Sequence, residues 1–211
     1  MADKFSCYLM QWDEVQSLAK AVARKIIKSG YQPDAVIGLA RGGWVHARLL
    51  CDLLGIKDLY SVKVSHWGVT ATVTGKAELG HGLDLPVAGK NVLIVDDITD
   101  TGESLELAKR HVEGLGTASV RTAALEHIDH SKFVPDYFGK EIRWKWVIFP
   151  WNYTEDLCNL AGKVKGEDGI RDAAALCRKM AERFELKVPE EDISDVLVEL
   201  EGREHLAKKK V

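Results

Sequence analysis

The residues best suited to chemistry follow an apolar run in the middle of the chain. Residues 92–95 are all apolar and mostly β-branched, which is typical of a strand buried on both faces. The run ends in two carboxylates, Asp96 and Asp97, and a Thr-Asp-Thr-Gly-Glu-Ser turn at residues 99–104, before apolar residues recur at helical spacing over 105–112. This order predicts a strand, a loop and a helix, with the polar residues at the carboxyl end of the strand, where open α/β sheets bind ligands.

The turn has the composition of an anion-binding loop. Its backbone N–H groups, the hydroxyls of Thr99, Thr101 and Ser104, and the positive end of the following helix converge on one small volume. Gly102 lets the backbone approach a ligand closely. The preceding carboxylates would repel a phosphate unless a sugar hydroxyl or a cation lay between them. The combination therefore indicates a sugar phosphate, with hydroxyls and Mg²⁺ at the acids and the phosphate in the loop. The alternative is an acidic loop that only caps a helix through Thr101 and Ser104.

Residues 92–104 resemble the phosphoribosyl-pyrophosphate (PRPP) signature of type I phosphoribosyltransferases: a hydrophobic run, two acids, two residues, Asp-Thr-Gly, any residue, then Ser or Thr. The resemblance covers roughly the first three quarters of the chain. It implies an α/β fold with a mostly parallel central sheet flanked by helices. It also implies displacement of pyrophosphate from C1 of PRPP by a nucleobase nitrogen, Mg²⁺ as cofactor, and a homodimer.

The resemblance assigns roles to individual residues of this chain. Asp96 and Asp97 would hold the ribose hydroxyls, and Asp97 would also be a direct or water-mediated Mg²⁺ ligand. Asp100 matches the family residue that handles the N7 proton of a purine, so it is the expected general acid/base. Arg41 would stabilise the leaving pyrophosphate together with Mg²⁺ and loop amides. The full set of expected PRPP- and nucleotide-binding residues is Arg41, Gly42, Gly43, Asp96, Asp97, Thr99, Asp100, Thr101, Gly102, Glu103 and Ser104.

An earlier strand–helix pair supplies the expected pyrophosphate loop. Residues 35–40 predict a short buried strand that runs into Arg41-Gly42-Gly43, and a helix is predicted over 45–54. A guanidinium beside paired glycines can donate several N–H bonds to pyrophosphate, and glycines let main-chain amides join it. In the family this loop often contains a non-proline cis peptide bond, which would fall before Arg41.

An aromatic segment near residue 150 resembles the base-binding strand of the 6-oxopurine and xanthine-type enzymes. Trp144, Trp146 and Trp151 lie close together in a predicted strand that needs a cover for its aromatic surface. An indole stacked on a purine stabilises it by about 1–3 kcal/mol, by analogy with nucleic-acid sites. The resemblance assigns stacking to Trp146 and edge recognition to the backbone of Val147, whereas packing in a core is the alternative.

Two departures from the 6-oxopurine pattern bear on the base. That group places a Lys near the purine O6 at the end of the preceding strand, but this chain has Glu126-His127-Ile128 there. A carboxylate or imidazole suits an exocyclic amino group, so the sequence leans towards adenine. Asn152 stands where related enzymes carry an acid that helps to hold a second magnesium ion, which would then depend on substrate and water. We interpret the wider stretch Glu126–His130 as a polar loop rimming the cleft rather than a metal site.

The whole chain reads as a PRPP-binding domain over residues 1–154, with a flexible hood at about 65–90, and a C-terminal helical bundle over 155–211. Hood closure would shield the reaction from water, and Lys76 or His66 would reach the pyrophosphate. The alternative is that part of the segment pairs as a ribbon, with His66 and Trp67 packing there. Helices are predicted over 13–28, 155–164, 168–184 and 190–206. The net charge of −3 and pI near 6.2 disfavour nucleic-acid or membrane partners.

The sequence also bears on cellular location and on an alternative function. Four scattered cysteines without metal-like spacing, no apolar run long enough to cross a bilayer and no signal-peptide profile favour a cytoplasmic protein. The favoured function is purine salvage. The rival is a PRPP- or nucleotide-sensing regulator with the same fold, which the acidic pI and the lack of a helix-turn-helix before Trp12 disfavour.

Overall fold

A computed structural model of the chain describes residues 4–66, 77–79 and 86–208, without the side chains of 65–66, 77–79 and 204–208. Within these ranges, strands and helices alternate through most of the chain and three helices follow. The strands are β1 Cys7–Leu9, β2 Ala35–Ala40, β3 Asp58–His66, β4 Ala77–Leu79, β5 Asn91–Thr99, β6 Ser119–Ile128, β7 Tyr137–Ile142 and β8 Trp146–Ile148. The helices are α1 Trp12–Ser29, α2 Gly43–Leu54, α3 Glu103–Glu113, α4 Tyr153–Asp168, α5 Ala173–Phe184 and α6 Glu190–Lys208.

Contacts divide the chain into two compact units. Residues 12–144 form one unit, and residues 1–11 join 145–211 in the other. The N-terminal strand β1 therefore belongs with the C-terminal helices. The domains predicted from sequence, residues 1–154 and 155–211, are a different division and stay a prediction. No described helix is long and apolar enough to cross a membrane.

The larger unit contains a six-stranded sheet in the order β4-β3-β2-β5-β6-β7. All pairs are parallel except β3 with β4. Right-handed crossovers between parallel strands place helices on the sheet faces, which is why the strands are apolar on both sides. The prediction of an α/β fold with a mostly parallel central sheet flanked by helices is confirmed.

The core of this unit lies on both faces of the sheet. One cluster joins α1 and α2 to the sheet residues Val36, Leu93, Val95 and Ala123. The opposite cluster joins α3 to Ile37, Val62, Val92, Ile94 and Val120. Alternate residues of β5 thus enter opposite clusters, as strand geometry requires, and the strand is held rigidly up to its carboxyl end.

The smaller unit is a helical cluster with a two-stranded sheet. Strand β1 pairs in parallel with β8, in the register Cys7 with Trp146 and Leu9 with Ile148. Apolar residues of α4, α5 and α6 pack around Ile148. Arg183 of α5 is buried, and its guanidinium donates to Glu167 Oε2 at 2.7 Å and Asp168 Oδ2 at 3.3 Å. A buried guanidinium needs such partners, so this ion pair joins α5 to the end of α4.

The structure corrects several boundaries predicted from sequence. Strand β5 continues through both acids to Thr99, and β6 continues through Glu126 to Ile128 where a polar loop was expected. Both extensions are hydrogen-bonded to neighbouring strands, and this pairing outweighs the polar character of the residues. Strands β1 and β7 were not predicted, and the aromatic segment is extended only over Trp146–Ile148.

Part of the predicted hood lies in the described ranges. Ala77–Leu79 pairs with Val64–His66 as an antiparallel ribbon. Lys76 lies outside the described residues, and the side chain of His66 is likewise not described. The expectation that one of them reaches pyrophosphate therefore stays a prediction.

Candidate active site

The two carboxylates lie at the carboxyl end of β5, in the middle of the sheet. The Asp97 N–H donates to Asp96 Oδ1 at 3.0 Å, and the Ile98 N–H donates to Asp97 Oδ1 at 2.8 Å. Asp97 is 8% exposed. Burial, and then the charge of Asp97, raise the pKa of Asp96 well above its usual range. Two carboxylates this close together therefore favour a cation or hydroxyl donors beside them.

The Arg-Gly-Gly loop lies directly against these acids. Strands β2 and β5 are neighbours, with Gly38 opposite Val95, so the loop that follows β2 meets the acid pair. A Cβ atom on Gly42 would overlap the Asp97 carboxylate, and one on Gly43 would lie 2.7 Å from the Cα of Asp96. Only glycine therefore permits this contact at either position. The peptide bond before Arg41 is cis, as the family resemblance implies.

His46 supports the acid pair from within α2, and sequence reasoning missed it. The side chain is fully buried, and Nδ1 lies 2.9 Å from the backbone oxygen of Asp96. Because a carbonyl oxygen only accepts, the Nδ1–H donates. Burial lowers the pKa of His46 to about 4, so the ring is neutral at pH 7. The only signal available was an imidazole between the apolar residues Val45 and Ala47.

The predicted phosphate loop turns sharply between β5 and α3. Gly102 has a φ of +84°, and a Cβ atom there would overlap Phe133 and lie 2.9 Å from Ser131 Oγ. Gly102 is also the N-cap residue of α3, and as a glycine it provides no side-chain cap. Thr101 Oγ1 accepts only a long 3.4 Å bond from the Glu103 N–H. A helix start whose N-cap residue has no side chain suits an anion. Simple capping by Thr101 and Ser104 stays the alternative.

The remaining loop residues differ in exposure. Asp100, Thr101 and Ser104 are half-buried and Glu103 is exposed. Thr99 is almost fully buried, and its hydroxyl oxygen has no hydrogen-bond partner in the described part of the protein. The structure therefore brings the acid pair, the glycine pair and the loop to one edge of the sheet, with Thr99 at its base.

Asp100 has a partner that the sequence did not assign. His130 Nε2 lies 3.3 Å from Asp100 Oδ1, and His130 Nδ1 lies 3.9 Å from Asp129 Oδ1. His130 follows the end of β6, which is paired with β5. Neighbouring parallel strands bring the loops at their carboxyl ends together, so this proximity follows from the sheet order.

The carboxyl end of β6 is buried in the core and does not lie at the rim of a cleft, as the sequence had predicted. Glu126 is fully buried and His127 is 3% exposed. The His127 ring packs on Phe138 with centroids 5.1 Å apart, and burial lowers its pKa. The described residues contain no group of three or more side chains able to hold a metal ion. The stretch 126–130 thus offers no protein-made metal cage in the part of the chain that is described.

The predicted base-binding residues lie in the smaller unit. Trp146 is half-buried against the helical cluster, and its indole N–H has no hydrogen-bond partner among the residues placed by the structure. Val147 is buried in β8 opposite Tyr8. Trp151 stacks on Phe149 at 4.8 Å. Asn152 precedes α4 without capping it through its side chain.

These features define the class of protein. A mostly parallel sheet with an acid pair, a helix start at a glycine and a glycine-lined loop at one edge is the type I phosphoribosyltransferase arrangement. The phosphoribosyl transferase domain family matches residues 11–156, which is more than half of the chain. The chain belongs to this family and is a glycosyltransferase of the pentosyltransferase kind.

The chain is also similar to individual proteins. The chain is similar to the xanthine-guanine phosphoribosyltransferase of Cereibacter sphaeroides, at 29% identity over 68% of this chain and 85% of the relative. A purine phosphoribosyltransferase structure from Pyrococcus horikoshii has 31% identity and a TM-score of 0.61, covering 69% and 93% of the two chains. A Neisseria gonorrhoeae protein with bound ppGpp has 26% identity and a TM-score of 0.63, covering 70% and 90%.

Proposed function

We propose that the protein is a purine phosphoribosyltransferase of nucleotide salvage, which converts PRPP and a purine base into a nucleoside 5′-monophosphate and pyrophosphate. The observation that carries the proposal is the meeting of three parts at one edge of the sheet: the acid pair, the Gly42-Gly43 loop and the start of α3 at Gly102. The similarity to purine and xanthine-guanine phosphoribosyltransferases supports a purine as acceptor.

The proposed binding mode follows from the charges of these parts. The N–H groups at the start of α3 hold the 5-phosphate, where the helix dipole favours negative charge. Asp96 and Asp97 accept hydrogen bonds from the ribose hydroxyls. The backbone of Gly42 and Gly43 approaches the pyrophosphate, and Arg41 donates to it.

The proposed reaction breaks the C1–O bond to pyrophosphate and forms a bond from C1 to a ring nitrogen of the purine. The bonding electrons leave with pyrophosphate, and the purine loses its N–H proton to Asp100. The Arg41 guanidinium stabilises the charge that develops on the leaving group. The residues fit these roles because the acids, the glycine pair and Asp100 come from neighbouring strand ends.

Mg²⁺ suits this donor set. Two carboxylates at one strand end are what the ion uses in phosphate sites, where substrate oxygens and water complete an octahedron. Asp97, nearly buried beside Asp96, is the proposed protein ligand, direct or through water. The ion would supply electrophilic stabilisation of the pyrophosphate.

We propose a 6-oxopurine as the base: xanthine, guanine or hypoxanthine. The preference for adenine predicted from the sequence required Glu126 or His127 to face the cleft, but both are buried in β6. The named relatives act on xanthine and guanine, or on purines. Trp146 remains the proposed stacking residue and Val147 the proposed edge reader.

The test is turnover with PRPP, Mg²⁺ and each of adenine, hypoxanthine, guanine and xanthine. Nucleotide formation and pyrophosphate release are measured. We expect product with at least one 6-oxopurine and much less with adenine. Asp100→Asn protein, prepared identically, controls for contaminating enzymes. Tight PRPP binding without product from any base would favour the sensor, which the comparisons with enzymes do not favour. Efficient turnover of adenine alone would overturn the choice of base.

The setting and assembly belong to the same proposal. All four cysteines are free thiols, with Cys51 and Cys158 buried, as suits a reducing cytoplasm. A homodimer is the proposed assembly, on the family resemblance. Sedimentation equilibrium measures it directly, and a monomer at micromolar concentration would contradict it.

A further inference from the structure

The geometry points to His130 as a positioning residue for Asp100, an inference that rests on the proposed proton-transfer role of that carboxylate. His130 Nε2 lies 3.3 Å from Asp100 Oδ1. An N–H at this place donates to one carboxylate oxygen and leaves the other to receive the proton of the purine. The imidazole thus selects which oxygen faces the base and limits rotation of the carboxylate.

The loop that carries His130 is braced on both sides. The Asp129 N–H donates to the Ile142 carbonyl at 3.0 Å, and the Ser131 N–H donates to the Ile128 carbonyl at 2.9 Å. The Ser131 hydroxyl donates to the Phe133 carbonyl at 3.1 Å. These bonds join the loop to β6 and β7, so the imidazole is presented from a fixed support.

The same loop lies against the phosphate loop. Phe133 and Ser131 fill the space beside Gly102 so closely that no Cβ atom fits there. Phe133 also packs on the core cluster around α3. The distance between His130 and Asp100 is therefore set by packing on both sides rather than by their contact alone.

The contact contributes little to stability. The His130 side chain is 54% exposed and that of Asp100 is 41% exposed. Contacts between side chains this accessible to water stabilise a protein little. The contact therefore acts on the orientation of a carboxylate that reacts, where misplacement by an ångström can lower the rate by a large factor.

The experiment combines two substitutions at His130 with one at Asp100. His130→Ala should lower kcat roughly tenfold while the KM for PRPP changes less than about twofold. His130→Gln, whose amide can replace the Nε2 donor, should restore most of the rate. Lys132→Ala, an exposed change in the same loop, is the matched control and should leave kcat unaltered. In an Asp100→Asn background, His130→Ala should cost nothing further, because residues that act through one contact are not additive.

An unchanged kcat in His130→Ala, or an equal loss in both backgrounds, would overturn the positioning role. A readout independent of turnover separates this inference from the proposed function. The ¹⁵N signals of the His130 ring, assigned by their loss in His130→Gln, should move in Asp100→Asn and stay in place in Lys132→Ala. Signals that do not move in Asp100→Asn would refute the contact itself. If they move in a protein that converts no base, the contact stands and the proposed function fails.

Discussion

At the scale of single residues, glycines decide whether the acid pair can form a site. Gly42 touches the Asp97 carboxylate and Gly43 approaches the Cα of Asp96, so any side chain at either position displaces an acid. The sequence showed the Arg-Gly-Gly tripeptide but not what it touched. The pairing of β2 with β5, a long-range contact, brings the two together.

Gly42→Ala should weaken PRPP binding at least tenfold, since the new methyl group must push Asp97 away from its place. Isothermal titration calorimetry with PRPP and Mg²⁺ measures the change. Gly166→Ala is the matched control, because a Cβ atom there meets nothing within 4 Å inside α4. That control should keep its PRPP affinity and gain roughly 0.5–1 kcal/mol of stability. Normal PRPP affinity in Gly42→Ala would remove this loop from the binding site.

Asp100→Asn should lower kcat by about 10²–10⁴ and leave PRPP affinity nearly unchanged, because an amide cannot accept the purine proton. Single-turnover kinetics together with PRPP titration separate the two effects. A rate equal to that of the wild type would exclude Asp100 from proton transfer.

At the scale of elements, the apolar runs were easy to predict and the ends of strands were not. The runs 35–40 and 92–95 are buried on both faces, so their composition announced β2 and β5. Glu126 and His127 read as a loop because they are polar, but the ladders to β5 and β7 carry β6 past them. Strand β7 has no fully buried residue and no alternation of apolar and polar residues, and β1 has only three residues, so neither gave a periodic signal.

Trp146→Ala tests whether β8 serves the base or only the helical cluster. If the indole stacks on the purine, the KM for the base should rise at least tenfold with the PRPP affinity retained. Trp151→Ala is the control, since that ring already stacks on Phe149. Steady-state kinetics in the two substrates give both values. An equal loss of base and PRPP binding, with a lower melting temperature, would assign Trp146 to packing.

At the scale of the whole molecule, burial of charge-bearing groups makes stability depend on pH. Burial lowers the pKa of His46 from 6.5 to about 4. Between these pH values the unfolded chain therefore binds more protons than the folded one. The stabilisation that comes from the neutral His46 ring is complete above pH 6.5 and is lost as the pH falls towards 4. Asp96, whose pKa is raised, acts in the opposite direction.

His46→Asn isolates this effect, because its amide can still donate to the Asp96 carbonyl but cannot titrate. Between pH 7 and pH 4 the free energy of unfolding of the wild type should fall by about 3 kcal/mol relative to the variant. Urea unfolding of both proteins at several pH values gives the difference. A difference that is constant with pH would mean that His46 remains neutral in the unfolded chain too, or is charged when folded.

The pairing of β1 with β8 has a consequence for how the protein is made. Residues 7–9 leave the ribosome before the rest of the fold, yet their strand partner, residues 146–148, is synthesised more than a hundred residues later, and α6 later still. The nascent chain must therefore carry an unmatched N-terminal strand while residues 12–144 already contain their whole sheet. The strand proposed to hold the purine is thus among the last parts to acquire its neighbours.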